Sequence, residues 1–137
     1  MKRKARLSQL MALQEKKTRA EIARRVNTAA QEHEKTEQTL THVQALLREK
    51  ANSPGQVMTA ADLSAQHWLG TALAGQMTTL KNRSEESQKR FNDLKDQLNL
   101  QSQRERIVAE KALEAKRQAR AHAQAMADEA MADRPRK

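Results

Sequence analysis

One stretch decides the fold, residues 73–112: LAGQMTTLKNRSEESQKRFNDLKDQLNLQSQRERIVAEKA. Seam positions recur in it at alternating spacings of four and three residues, which is the heptad repeat of a coiled coil. The frame continues without a slip over these positions: Leu73, Met77, Leu80, Ser84, Ser87, Phe91, Leu94, Leu98, Gln101, Glu105, Val108, Ala112, Ala115 and Ala119. Its four polar members (Ser84, Ser87, Gln101 and Glu105) weaken an apolar seam, but polar seam residues fix the register of two helices.

A second heptad frame precedes this stretch. It consists of Ile22, Val26, Ala29, His33, Thr36, Leu40, Val43 and Leu47. Leu10 and Leu13 lie off this frame, which predicts a shift of the seam near the beginning of the helix. The two frames are separated by Asn52-Ser53-Pro54-Gly55, a cluster of turn-forming residues. Thr59-Ala60-Ala61-Asp62 then resembles a capping box that starts the next helix, with Asp in place of Glu.

These patterns predict an all-α fold, a long two-helix antiparallel coiled-coil hairpin whose second helix is longer than the first. We expect a single domain over residues 1–137, with a helix over about 2–50, a turn over 51–58, a helix over about 59–131 and a polar tail over 132–137. Folding back at Pro54 would pair the beginning of the chain with about residue 107. The segment from Ala112 to Met131 would then have no partner helix in the chain.

Composition narrows the function. The 137 residues include one Trp, one Phe, no Tyr and no Cys, so disulfides and cysteine-ligated metals are excluded. The net charge of +9 favours nucleic acid, an anionic membrane or an acidic protein as a partner. No apolar run approaches the roughly 18 residues of a membrane-spanning helix. No apolar stretch follows the basic start as a signal peptide requires, so we expect a cytoplasmic protein.

The motifs that could carry chemistry are weak. Gly70 and Gly75 have the spacing of a phosphate-binding loop, but the lysine of that motif and the preceding strand are missing. His33-Glu34 begins like a zinc motif, but Glu37 stands where the second histidine belongs. A two-helix hairpin also offers no concave pocket. The sequence therefore predicts a protein that is not an enzyme, with no cofactor, no metal and no small-molecule substrate.

Nucleic-acid binding is the main alternative that charge supports. Asn27-x-x-Ala30 after a basic stretch resembles the basic region of leucine-zipper transcription factors. Acidic residues follow at Glu32 and Glu34, where they would face the phosphate backbone. Nucleic acid is thus an unlikely partner by sequence.

The arrangement resembles a known family, the flagellar type III export protein FliJ and its virulence counterparts of the YscO type. The resemblance spans nearly the whole chain and is carried by residues 10–16 (LMALQEK), 37–40 (EQTL), 59–68 (TAADLSAQHW) and the basic helix from Arg104 to Arg120. It implies a non-enzymatic central stalk of a type III (flagellar) protein export apparatus. The implied partners are the hexameric export ATPase, the export gate membrane protein and export chaperones. The implied location is cytoplasmic, peripherally associated with the inner membrane.

The resemblance also implies which residues would make contact. Contacts with the ATPase ring would fall on a basic set: Arg3, Lys4, Arg6, Lys116, Arg117 and Arg120. Contacts with the gate would fall near the turn: Gln38, Trp68, Leu69 and Leu73. The family includes flagellar and injectisome proteins, and the sequence does not choose between them. A basic nucleic-acid-binding coiled coil and an unrelated structural coiled coil or chaperone are the other functions that it allows.

Overall fold

The computed structural model describes residues 2–52 and 59–133, which form two helices. The first, α1, spans Lys2–Asn52, and the second, α2, spans Ala60–Ala132. The prediction of an all-α chain with a longer second helix is confirmed. The predicted turn residues Ser53, Pro54 and Gly55 lie outside the described residues, as does the tail beyond Asp133.

The start of α2 is fixed by the predicted capping box. The backbone N–H of Asp62 donates to Thr59 Oγ1, and the backbone N–H of Thr59 donates to Asp62 Oδ2, both over 3.2 Å. These reciprocal bonds satisfy two donors that a helix N-terminus otherwise leaves unpaired. The Asp62 carboxylate also lies where the helix dipole favours negative charge. The capping-box prediction is confirmed.

Burial along both helices follows the heptads. In α2, the buried or half-buried residues are the predicted seam positions together with Gly70. In α1, the frame read from Ile22 continues backwards with the same spacing through Arg19, Glu15, Ala12, Ser8 and Ala5, all at least half-buried. The predicted shift of the seam near the beginning of α1 is therefore wrong. Small and polar residues occupy the seam there, so the spacing of leucines does not mark its position.

The packing divides into two compact units. Unit 2, Arg25–Lys95, contains the end of α1 and the beginning of α2. Its contacts join Lys50 with Gln66, Glu37 with Ser84, and His33 with Ser87. The earlier a contacting residue lies in α1, the later its partner lies in α2.

Unit 1 combines Met1–Arg24 with Asp96–Lys137. Its contacts join Glu15 with Gln101 and Arg19 with Glu105. Ala5 and Ala112 are its buried apolar residues.

The apolar core is small in both units. Among the described residues, the buried apolar side chains are Ala5, Ala29, Val43 and Ala112, and none has less than 2% of its surface exposed. Alanine removes little apolar area from water, and stabilisation by burial is proportional to that area. The larger seam residues, such as Leu80 and Phe91, are only half-buried. The seam therefore stabilises the fold mainly through many partial contacts.

The register differs from the prediction. Residues 60–69 of α2 are all exposed, and Gly70 is the first covered position. Glu37 contacts Ser84, and these two residues are equally distant from about residue 60 rather than from Pro54. Because the first ten residues of α2 are uncovered, the covered part of that helix begins and ends later than predicted. Ala112 is 7% exposed, so the expectation that it lacks a partner is wrong.

Gly70 allows a close approach at this first covered position. A Cβ on Gly70 would lie 2.8 Å from Lys50 Nζ, and the Lys50 ammonium donates to the backbone carbonyl of Gln66. A Cβ on Gly75 would meet nothing within 4 Å. Of these two glycines, only Gly70 lies close to the facing helix, and the neighbouring atom is the end of the flexible Lys50 side chain.

Candidate partner-binding surfaces

The polar seam residues of unit 2 have partners on the facing helix. Ser87 Oγ and His33 Nδ1 are 2.7 Å apart, and Ser84 Oγ donates to Glu37 Oε1. Ser87 also donates to the backbone carbonyl of Ser84 over 3.0 Å. Both serine hydroxyls thus have a partner on the facing helix, as a register-fixing residue requires, whereas the seam residue Thr36 donates to the backbone carbonyl of Glu32 in its own helix.

Unit 1 repeats this arrangement with larger side chains. Gln101 is 8% exposed, and its amide donates to the backbone carbonyl of Glu15 over 3.2 Å and to the Glu15 carboxylate. Arg19 Nε lies 2.5 Å from Glu105 Oε2, and Arg104 Nε lies 3.7 Å from Glu15 Oε1. Glu15 and Glu105 are therefore engaged inside the unit, whereas Glu110 and Glu114 are exposed on α2 shortly before Lys116 and Arg117 in the sequence.

Unit 1 carries the six predicted ring contacts on its surface. Arg3, Lys4, Arg6, Lys116, Arg117 and Arg120, which we call the basic end, are all exposed. Within the described residues none of them forms an ion pair, and the first turn of α1 contains no acid. Positive charge at a helix N-terminus opposes the helix dipole. An anionic surface would relieve this unfavourable arrangement.

The end of α2 is a second exposed feature. Every described residue from Arg120 to Asp133 is exposed, including Met126 at 58% and Met131 at 69%. Thirteen of these residues, 120–132, continue the helix, for about 20 Å at 1.5 Å per residue. This exposed extension is shorter than predicted, because the seam covers α2 as far as Ala119.

The predicted gate contacts all belong to unit 2 but do not form one cluster. Trp68 is 71% exposed and Leu69 is 47% exposed, both before the first covered position of α2. Leu73 is half-buried in the seam, and Gln38 is exposed. Glu37, next to Gln38, contacts Ser84, which lies 16 residues or about 24 Å along α2 from Trp68. Trp68 and Leu69 therefore form the exposed apolar surface, and Gln38 is distant from it.

Sequence reasoning missed one surface, on the face of α1 opposite the seam. Leu7, Leu10, Met11 and Leu13, which we call the leucine ridge, are 59%, 56%, 54% and 62% exposed. At 100° per residue they span an arc of about 160°, and the seam positions Ala5 to Glu15 occupy the other side. Extending the frame of Ile22 backwards by heptads would have placed them outside.

Residues 2–52 and 59–133 contain no group of three His, Asp or Glu side chains placed to hold a metal ion. In that same part of the chain, neither helix has an apolar segment sufficient to cross a bilayer.

Comparison with models of protein families, with curated proteins and with solved structures finds no match to this chain.

Proposed function

We propose that this chain is a non-enzymatic central-stalk component of a type III protein export apparatus. In this proposal, unit 1 docks into the hexameric export ATPase, and the exposed Trp68 region faces the export gate. Export chaperones would be further partners. The observation that carries the proposal is the basic end. Its six cations are exposed and form no ion pair within residues 2–52 and 59–133, and they lie beside a helical extension that α1 does not cover.

The proposal includes an antiparallel coiled coil. The order of contacts in unit 2 supports it, because Lys50, Glu37 and His33 meet progressively later residues of α2. The continuous heptads of both helices also support it.

Electrostatics supports an acidic partner for the basic end. The Arg3, Lys4 and Arg6 side chains are exposed at the end of α1 where the helix dipole disfavours cations. A partner with exposed carboxylates would remove this cost and would accelerate association by long-range attraction. The proposal therefore requires acidic side chains where the ring meets the basic end.

The test is capture of a purified hexameric export ATPase by the full-length protein. Each exposed ion pair contributes up to about 1 kcal/mol. Reversal of Arg3, Lys4 and Arg6 to Glu removes three such pairs and should therefore weaken capture roughly tenfold or more. The matched control reverses Lys81, Lys89 and Arg90, three exposed cations of α2 in unit 2. Equal capture by both variants would refute docking through the basic end.

Nucleic-acid binding is a second candidate because the chain has a net charge of +9. Binding of duplex DNA at physiological salt, measured with the same two variants, separates it from the stalk proposal. If reversal of Arg3, Lys4 and Arg6 abolished DNA binding while ATPase capture was unchanged, the nucleic-acid function would replace the stalk.

A further inference from the structure

The leucine ridge combines apolar and cationic side chains on one surface of α1. Going along that face, Arg3 and Arg6 precede the ridge and Lys17 follows it, all exposed. No acid occurs between Lys2 and Gln14, and the first one, Glu15, is turned into unit 1 by its contacts with Gln101 and Arg104. The face is therefore apolar in its middle and positive at both ends.

We propose that this face binds the surface of an anionic lipid bilayer, with α1 lying in the plane of the interface. A helix with an apolar face and basic neighbours inserts the apolar side chains at the boundary of headgroups and acyl chains. Leu7, Leu10, Met11 and Leu13 would insert, while Arg3, Arg6 and Lys17 would contact lipid phosphates through long, flexible side chains. This inference goes beyond the proposed export function and does not depend on it.

Other occupants fit the face less well. A second copy would bring Arg3, Arg6 and Lys17 against their own counterparts, and like charges repel at such an interface. The chain beyond Asp133 is Arg-Pro-Arg-Lys by sequence, so it would be repelled as well. Nucleic acid would satisfy the cations but would give the four apolar side chains no apolar environment. A bilayer with anionic lipids satisfies both parts of the face.

The shape of the face agrees with this occupant. Leu7, Leu10 and Met11 lie on the side of α1 away from the seam, so α2 does not stand between them and a flat surface. Leu13, at the edge of the ridge, borders a groove with Ala109 and Ala112 of α2. Within the described residues no helix can cross a bilayer, so this contact would be peripheral. The export ATPase and the bilayer would compete for Arg3 and Arg6.

The experiment is co-sedimentation of the purified full-length protein, without ATPase, with two kinds of vesicle. One contains phosphatidylcholine alone, and the other contains phosphatidylcholine and phosphatidylglycerol. The wild type should bind only the mixed vesicles. Leu7→Gln with Leu10→Gln should weaken binding by roughly tenfold per leucine, the lower end of the transfer free energy of a leucine side chain. Changing Arg3, Arg6 and Lys17 to Gln should weaken it roughly 100-fold, as about 1 kcal/mol per cation implies.

Matched controls test whether vesicle binding depends on this face of α1 or only on the total charge and the exposed apolar area of the protein. Leu100→Gln with Ile107→Gln changes two exposed apolar residues of α2, and Lys81, Lys89 and Arg90 changed to Gln remove three exposed cations. Both controls should bind like the wild type, and circular dichroism should show unchanged helix content in every variant. Equal losses of vesicle binding in the ridge variants and in the control variants would overturn the proposal. Unchanged vesicle binding by Leu7→Gln with Leu10→Gln would also overturn it.

One further outcome would assign the face to a protein. If the mixed vesicles do not bind the wild type, while Leu7→Gln with Leu10→Gln weakens ATPase capture, the bilayer proposal is overturned and the stalk proposal stands. If the leucine substitutions weaken vesicle binding but the wild type does not capture the ATPase, the bilayer proposal stands and the stalk proposal is refuted.

Discussion

Gln101 offers a sharp test of how the helices of unit 1 are held together. It is 8% exposed and donates to both the backbone carbonyl and the carboxylate of Glu15. Gln101→Ala removes these hydrogen bonds and leaves a gap at a covered seam position. A hydrogen bond to a charged group contributes about 1.5–3 kcal/mol at most. The Glu15 side chain is 22% exposed and keeps its contact with Arg104, so water and that ion pair replace part of the loss.

We therefore expect a destabilisation of about 1–2 kcal/mol. The two helices together contain 124 residues. At about 2.1 cal/mol/K per residue, their unfolding entropy is about 0.26 kcal/mol/K. Gln101→Ala should then lower the Tm by about 4–8 °C, measured by circular dichroism at increasing temperature.

The matched control is Gln103→Ala, the same chemical change at an exposed position of α2. Alanine has a slightly better helix propensity than glutamine, so this variant should melt at or just above the wild-type temperature. Equal melting temperatures for the two variants would refute the inference that Gln101 joins the two helices.

Three further outcomes follow from the burial pattern. Ala112→Glu should destabilise the protein by several kcal/mol because it places a charge in the seam, whereas Ala127→Glu, on the exposed extension, should be nearly neutral; urea unfolding measures both. In hydrogen exchange, amides of residues 120–133 should exchange much faster than those of residues 87–98, and equal protection would mean that another chain covers the extension. Thr59→Ala should cost about 1 kcal/mol through loss of the N-cap, and an unchanged urea midpoint would refute the role of that cap.

The elements that could be predicted from sequence are those fixed by local chemistry. The frame from Leu73 to Ala119 was readable because four-three spacing forces those positions onto one side of a helix. Thr59 and Asp62 were readable because a capping box needs two side chains three residues apart. Both features depend on residues that are near one another in the chain.

The register and the leucine ridge depend on more distant information. Pro54-Gly55 gives the place of a turn but not how many residues of α2 pass before the facing helix covers it, and Gly70 proves to be the first. Leu10 and Leu13 were read as signs of a shifted seam because leucine is commoner than alanine or serine in coiled-coil seams. The structure instead buries Ala5 and half-buries Ser8 and Ala12, which leaves the leucines outside. Continuing the heptads of Ile22 backwards through Ala12, Ser8 and Ala5 places the leucine ridge outside the seam, although those seam residues are small or polar.

The composition of the seam connects the fold to the proposed function. A coiled coil with leucine throughout its seam would gain most of its stability internally, whereas the buried apolar residues here are three alanines and one valine. Any partner that binds the folded chain but not the unfolded one adds stability, by about 2.7 kcal/mol at one hundred times its dissociation constant. That gain exceeds the destabilisation of about 1–2 kcal/mol expected for Gln101→Ala. Because the seam is thin, a partner that covered the helical extension or the apolar ridge would add a large share to the free energy of unfolding, as we would expect for the proposed stalk.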